Sequence, residues 1–237
     1  MKIIGHRGIM SFSPENSLSG LNYIKSLKLN WVECDVILSK DNIPVIFHDK
    51  KLDRVTNFKG EVKNYKYKEL EHVDIGYKYS LNFTGERIPS LFEYIKKCSE
   101  LSINVFLELK KYYNDELTLV NNVMYNIKYF DNIKIILCSY SKTIISLINQ
   151  LYPDIKKSII VDKIPNDWYD FVKTNNCYSI NVAYDKFDEN DLSEIKKCCS
   201  KIPTYCFTVN DYEDYNNLKE IGVKGIITDK AEYFTTY

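Results

Sequence analysis

Short β-rich runs alternate with segments of helical apolar spacing from one end of this chain to the other, and that alternation constrains the fold more than any other feature. The runs fall at 2–5, 31–36, 103–109, 133–138, 157–161, 178–182, 204–208 and 223–228. Between them, apolar residues recur three and four positions apart. Leu18, Leu21, Ile24 and Leu27 share one helical face, and Leu91, Tyr94, Ile95 and Cys98 share another. Similar patterns occupy 116–129, 142–151, 166–175, 189–199 and 211–221. Local start signals agree. Ser13-Pro14-Glu15-Asn16 offers an N-cap, a proline at the first helical position and acid in the first turn. Ser90 can cap the next helix, with Glu93 three residues on as its capping-box partner. Eight strand–helix units in 237 residues predict an α/β protein of the (β/α)8 TIM-barrel type. An open doubly wound sheet allows the same alternation. The count of eight, and the lack of a Gly-rich dinucleotide fingerprint after the first strand, favour the closed form.

One connection breaks the rhythm. More than fifty residues separate the second strand from the helix at Ser90. Asp41-Asn42 can turn a hairpin that returns through 44–48, and 66–71 reads as a short helix. The remainder, at about 49–89, is expected to form a lid or wall over a site, as long insertions in barrels do. No Pro/Ser/Gly-rich linker, low-complexity tract or sequence repeat marks a second domain, so residues 1–237 are expected to form a single catalytic barrel with a small insertion after the second strand.

Charge and cysteine usage narrow the function classes. Lysine plus arginine (32) equals aspartate plus glutamate (32), which gives no electrostatic case for binding nucleic acid or an acidic membrane. The seven cysteines lie singly or as Cys198-Cys199, without CxxC spacing, and read as reduced thiols of a cytoplasmic protein. The opening MKIIGHRG has an apolar run too short for a signal peptide. No stretch approaches the roughly 20 apolar residues that span a bilayer, and no stable membrane association is expected. No GxxxxGK[ST] loop is present, so nucleoside triphosphates are not expected substrates.

The chemistry sits where apolar runs end in charge: IIGHRG, WVECDV, PVIFHD and NVFLELK. In a parallel α/β fold these are the carboxyl ends of strands, where active sites form. Glu33 and Asp35 are two apart on a strand and point to one face, with Trp31 further down it and Val32, Cys34 and Val36 turned away. Two like charges side by side repel unless a cation or a proton intervenes. Glu108, near the end of the third strand, adds a carboxylate, making a hard oxygen site suited to one Mg2+ or Ca2+ ion. The bland alternative is surface carboxylates paired with Lys110 and Arg7. The matching strand-end positions of His6 and His48 favour the site. Two histidines can divide the roles of general acid and base near neutral pH. His6 abuts Arg7 and precedes Gly8, expected to let substrate approach the backbone. His48 precedes Asp49, which either orients the ring or lies in the turn. Arg7 and Lys110 supply positive charge where negative charge would build up on a phosphate. His72, in the polar ELEHVD, reads as a surface residue.

GHRG, then PENS after five residues, then ECDV, DNIPVIFHDKKLDRVTN, GERIPSLFEYI and LELK resemble, in order and spacing, the glycerophosphodiester phosphodiesterase family. FTVN and GIITD look like its last two strand ends, while 112–203 carries little signature. The resemblance implies a TIM barrel that hydrolyses glycerophosphodiesters to sn-glycerol 3-phosphate and an alcohol. It implies a divalent metal on Glu33, Asp35 and Glu108, His6 and His48 as acid and base, Arg7 and Lys110 on phosphate, and Glu15 supporting the site from the first helix. It also implies attack by the glycerol 2-hydroxyl to give a cyclic phosphate that water opens. Phe207 stands where the family usually has tryptophan, which keeps an apolar wall for the glycerol but loses an indole donor. Lys224 and Asn57-Phe58-Lys59-Gly60 depart from the pattern without removing a catalytic group. Loops around Tyr140, Asp162, Tyr184 and Phe207 are expected to select the alcohol. A lysophospholipase-D-like activity would call for an apolar mouth or a basic amphipathic segment, and none is evident. A glycerol-phosphate-binding barrel without turnover is the reading from a different class.

Overall fold

The strands are apolar on both faces because each is covered twice, by the barrel interior on one side and by helices on the other. The computed structural model describes residues 1–186 and 192–235. In chain order its strands are β1 (Lys2–Gly5), β2 (Trp31–Leu38), β3 (Pro44–Ile46), β4 (Asn104–Leu109), β5 (Ile135–Ser139), β6 (Lys157–Val161), β7 (Ser179–Ala183), β8 (Thr204–Phe207) and β9 (Gly225–Thr228). The helices are α1 (Leu18–Ser26), α2 (Tyr67–Leu70), α3 (Leu91–Leu101), α4 (Glu116–Ile127), α5 (Lys142–Leu151), α6 (Trp168–Thr174), α7 (Leu192–Cys199) and α8 (Tyr212–Glu220). Leaving β3 aside, the strands pair in parallel in the order β1-β9-β8-β7-β6-β5-β4-β2, and β2 returns to β1 through Gly5 and Val32. The sheet therefore closes into the eight-stranded barrel that the alternation predicts.

Period-two alternation sorts the side chains into layers. Ile4, Trp31, Phe106, Ile136, Ile160, Tyr205 and Ile227 fill the interior. Phe106 stacks at a tilt on Trp31 (5.2 Å) and edge-on to Tyr205 (4.8 Å), contacts worth about 0.5–1.5 kcal/mol each beyond their buried area. Val32, Cys34 and Val36 face outward, packed with Leu21 and Ile24 of α1 and Leu91 and Ile95 of α3.

The long connection after β2 turns back at once. β3 runs antiparallel to β2, with Val36 opposite Ile46, and the turn uses Asn42 in the left-handed region. The rest has a small core of its own, in which Ile37, Val45 and Phe47 meet Leu52, Val62, Leu70, Val73, Ile75 and Ile88. No helix among the described residues is long and apolar enough to cross a membrane.

The capping expectations divide. At α3 the box is present: Glu93 N–H donates to Ser90 Oγ (3.2 Å) and Ser90 N–H to Glu93 Oε2 (2.8 Å). Ser90→Ala should lower the unfolding free energy by about 1 kcal/mol in a denaturant titration; an unchanged midpoint would mean the box contributes nothing. At α1 the expectation fails. Ser17, not Ser13, is the N-cap, accepting from Gly20 N, and Pro14 and Glu15 lie before the helix. The cause is Asn16, whose φ of 58° interrupts any helix running through PENS. Two strand starts also move: the runs expected at 133–138 and 223–228 begin their strands two residues later, at Ile135 and Gly225, while the first three residues of the helix expected at 189–199 lie outside the described ones.

Candidate active site

Strand register assembles the acidic floor. β2 and β4 pair so that Asp35 lies beside Glu108, and Glu33 stands one inward position below Asp35. Oxygens of Glu33, Asp35 and Glu108 all lie within 4.8 Å of one another. Glu33 and Asp35 are almost wholly buried, as the barrel rim demands.

Two cations lean into this cluster, so the ion-pair alternative is present as well. Lys110 Nζ lies 2.8 Å from Glu108 Oε1 and 3.3 Å from Asp35 Oδ1. Arg7 Nε lies 3.4 Å from Asp35 Oδ2 without hydrogen-bond geometry, which leaves this buried donor with no hydrogen-bond acceptor among the described residues. The backbone at Arg7 is left-handed (φ 49°), which aims its own N–H at Glu33 Oε2 (3.1 Å). Burial opposes ionisation of Asp35, yet Lys110, Arg7 and His48, with the Asn16 amide, hold its carboxyl below the usual range. Glu33 fares differently: burial, then the charges of Asp35 and Glu108, push it well above that range. Burial also raises Glu108, partly offset by Lys110. The cluster thus carries one carboxylate more than its two cations satisfy.

That imbalance tests the fit of a metal. Two buried carboxyl groups and one half-buried, with no thiol, form a hard, oxygen-only donor set, and a divalent cation would offset the like charges that push Glu33 up. The residues present fit Mg2+ or Ca2+.

Each histidine is braced by a carboxylate. His6 Nδ1 lies 2.6 Å from Asp229 Oδ1, and His6 N–H donates to Thr228 O (2.9 Å). His48 Nδ1 lies 2.6 Å from Asp49 Oδ1, so Asp49 orients the ring. A carboxylate only accepts, so Nδ1 carries the proton in both rings and Nε2 is left outside the carboxylate contact. His6 Nε2 is 3.9 Å from Glu33 Oε2. Burial lowers the His48 pKa, helped by Lys110 and Arg7 against Asp35, and favours its neutral form. His72, by contrast, is 75% exposed, far from this group in character.

Behind the histidines stands Arg54. Its guanidinium donates to both oxygens of Glu15 (2.7 Å each) and to both of Asp49 (2.6 and 3.1 Å). Glu15 also meets Arg7 Nη1 at 3.4 Å. Glu15 therefore meets these cations from the loop ahead of α1 rather than from the helix. Gly8 adopts φ 98°, a conformation that residues with a Cβ rarely take up, and packs its backbone against Gly20 of α1.

His6, Arg7, Glu33, His48, Glu108 and Lys110 all border one open cavity of about 220 Å3, whose far wall includes Tyr140, Lys186 and Phe207. Phe207 meets Tyr140 edge-on at 6.4 Å, and Tyr140 O–H donates to Asp162, which Lys186 also pairs. Four contributors had no assigned role from sequence. Asp229 directly follows its apolar strand, as His6 follows β1, a signal that was available. Asn210 donates to Asp229 Oδ2 (2.9 Å), Asn16 donates to Asp35 Oδ2 (2.9 Å), and Arg54 lies in the aperiodic connection; these had no local signal.

Residues 6–233 match the glycerophosphoryl diester phosphodiesterase family. The chain is 29% identical to a glycerophosphodiester phosphodiesterase of Caldanaerobacter subterraneus, over 97% of this chain and 94% of that protein. It is 27% identical to one of Bacillus altitudinis, over 96% and 94% respectively. Among solved structures it resembles an Oleispira antarctica phosphodiesterase in complex with the product sn-glycerol-3-phosphate. The TM-score is 0.93 and the identity 28%, covering 100% of this chain and 96% of the other.

Proposed function

The chain belongs to the glycerophosphoryl diester phosphodiesterase family, and from that membership we propose that it hydrolyses small glycerophosphodiesters to sn-glycerol 3-phosphate and an alcohol, using His6 and His48 for proton transfer and one divalent cation. The observation that carries this reading is that two carboxylate-braced histidines and two cations border one cavity together with Glu33 and Glu108, and that Asp35 completes the acidic cluster just behind it. Residues 1–237 act as one catalytic unit, with the segment at about 49–89 as a wall that also carries Arg54. Equal numbers of acidic and basic residues accord with a small substrate rather than with nucleic acid, and the seven cysteines without CxxC spacing accord with a cytoplasmic setting.

Glu33, Asp35 and Glu108 would hold the metal, which when bound supplies Lewis-acid stabilisation of charge on the phosphoryl oxygens. The protein's own groups do the rest. Arg7, with its unpartnered Nε, and Lys110 hold phosphate oxygens. Phe207 offers an apolar wall to the substrate. His48, kept neutral by burial, accepts the proton of the glycerol 2-hydroxyl on Nε2 as that oxygen attacks phosphorus. The bond from phosphorus to the alcohol oxygen breaks, and His6 gives that oxygen its Nε2 proton. Asp229 stabilises the charged ring of His6 beforehand and Asp49 that of His48 afterwards. In the second half the roles reverse. Water loses a proton to His6 and attacks the cyclic phosphate, and the 2-oxygen leaves with the proton from His48.

Glycerophosphocholine, glycerophosphoethanolamine and glycerophosphoglycerol, assayed by coupled detection of glycerol 3-phosphate, test the reaction. Phosphorus NMR during a single turnover tests the route and should show a transient cyclic glycerol phosphate. Release of phosphocholine instead of glycerol 3-phosphate would overturn the assigned bond cleavage.

A further inference from the structure

The floor of the cavity holds a polar group that the proton transfers do not use. Away from the carboxylates the lining turns apolar, with Ile160, Ala183, Phe207 and Ile227. Among them sits Asn181, inward on β7 and 2% exposed, with Ile160 and Tyr205 as its register neighbours on β6 and β8. Ser158 O–H donates to Asn181 Oδ1 at 2.8 Å, which sets the orientation of the amide. Nδ2 then points at Cys138 Sγ, 3.7 Å away, and Cys138 is the register neighbour of Glu108. The amide is thus linked through Cys138 to the strand pair that carries Glu108. A thiol sulfur is a weak acceptor, and among the described residues neither Nδ2 hydrogen meets an oxygen. A buried amide donor is costly to leave this way unless water or a ligand supplies the acceptor.

Binding cavities commonly pair apolar walls with a few placed polar groups that fix orientation. This cavity has that division: charged groups at the β1, β2 and β4 rim, an apolar floor opposite, and one amide set in the floor. We propose that Asn181 reads the terminal hydroxyl of the glycerol moiety, the carbon chain lying along Phe207 and Ile227 while Arg7 and Lys110 hold the phosphate. The inference rests on the phosphodiester reading of the site and deepens it, because it places the selection of glycerol over a less hydroxylated alcohol at a particular side chain. Ser158 is the positioning residue behind it.

The test compares glycerophosphocholine with propane-1,2-diol phosphocholine, which keeps the hydroxyl beside the phosphate and lacks the terminal one. Wild-type protein should prefer the glycerol compound by about 10- to 100-fold in kcat/KM, the scale of one buried hydrogen bond in recognition. In Asn181→Leu the preference should fall to within about threefold, by loss on the glycerol compound alone. A purely structural role would depress both substrates equally, and that result overturns the proposal. Calorimetry with sn-glycerol 3-phosphate and propane-1,2-diol phosphate gives an arm independent of turnover and of any variant's folding. Tighter binding of the glycerol compound by wild-type protein supports the proposal, and equal affinities overturn it even where glycerophosphocholine is hydrolysed. Absent hydrolysis with unequal affinities would instead count against the phosphodiesterase reading alone.

Discussion

Exhaustive removal of divalent cations is expected to lower kcat by about 10³-fold or more, and Mg2+ or Ca2+ to restore it. The size follows from the several kcal/mol that a Lewis acid contributes to charge stabilisation, at about 1.4 kcal/mol per tenfold in rate. The direction follows from the cluster itself. Glu33 is buried beside Asp35 and Glu108, where it accepts the Arg7 backbone N–H and has the His6 imidazole 3.9 Å away, and burial with like charge pushes its carboxyl up. A cation displaces the proton that such a group would otherwise hold, so metal binding near neutral pH should release protons. Calorimetry in two buffers of different ionisation enthalpy measures that release without any turnover. Full activity in metal-free protein, or metal uptake unaltered in a Glu33→Gln, Asp35→Asn, Glu108→Gln triple variant, would remove these residues from the metal site.

Replacing either braced histidine should cost nearly as much. His6→Ala and His48→Ala are each expected to reduce kcat by about 10²–10⁴-fold, the usual range for acid–base catalysis, while His72→Ala stays within about twofold of the parent. The pH profile separates the two roles. A base works deprotonated, and burial lowers the His48 pKa from the ordinary 6.5. The ascending limb of kcat/KM should therefore lie below that value, activity being lost as pH falls through it, and His48→Ala should lack this limb. Comparable damage in all three variants would show that position around the cavity has nothing to do with the effect.

Much of this site was legible because charge interrupts apolar strands. Glu33, Asp35 and Glu108 break runs otherwise fit only for burial, and His6 and His48 end theirs. Such interruptions are costly in a core, so their recurrence at strand ends carries information. What stayed hidden depends on closure. His6 and Asp229 are 223 positions apart, and only the pairing of β1 with β9 makes them neighbours. Strand–helix alternation announces a barrel without saying which side chains its last strand delivers to the first. Asn16 was concealed otherwise: PENS looks like a helix start, and only its left-handed backbone reveals an amide turned back onto Asp35. Arg54 lies in a stretch where no period operates, so nothing local distinguished it from the lysines around it.

The double fork of Arg54 limits how the inserted segment can be exchanged between relatives. With its own apolar core, the segment resembles a cassette for a chimera to import whole. Its leading residues are nevertheless part of the machinery, since Asp49 holds His48 and Arg54 ties Asp49 to Glu15 in a loop encoded elsewhere. A crossover placed after residue 54 swaps only the wall and leaves both braces native. One placed at residue 49 brings in a foreign partner for Glu15, and the graft stays in register only when that donor chain supplies an arginine of matching reach.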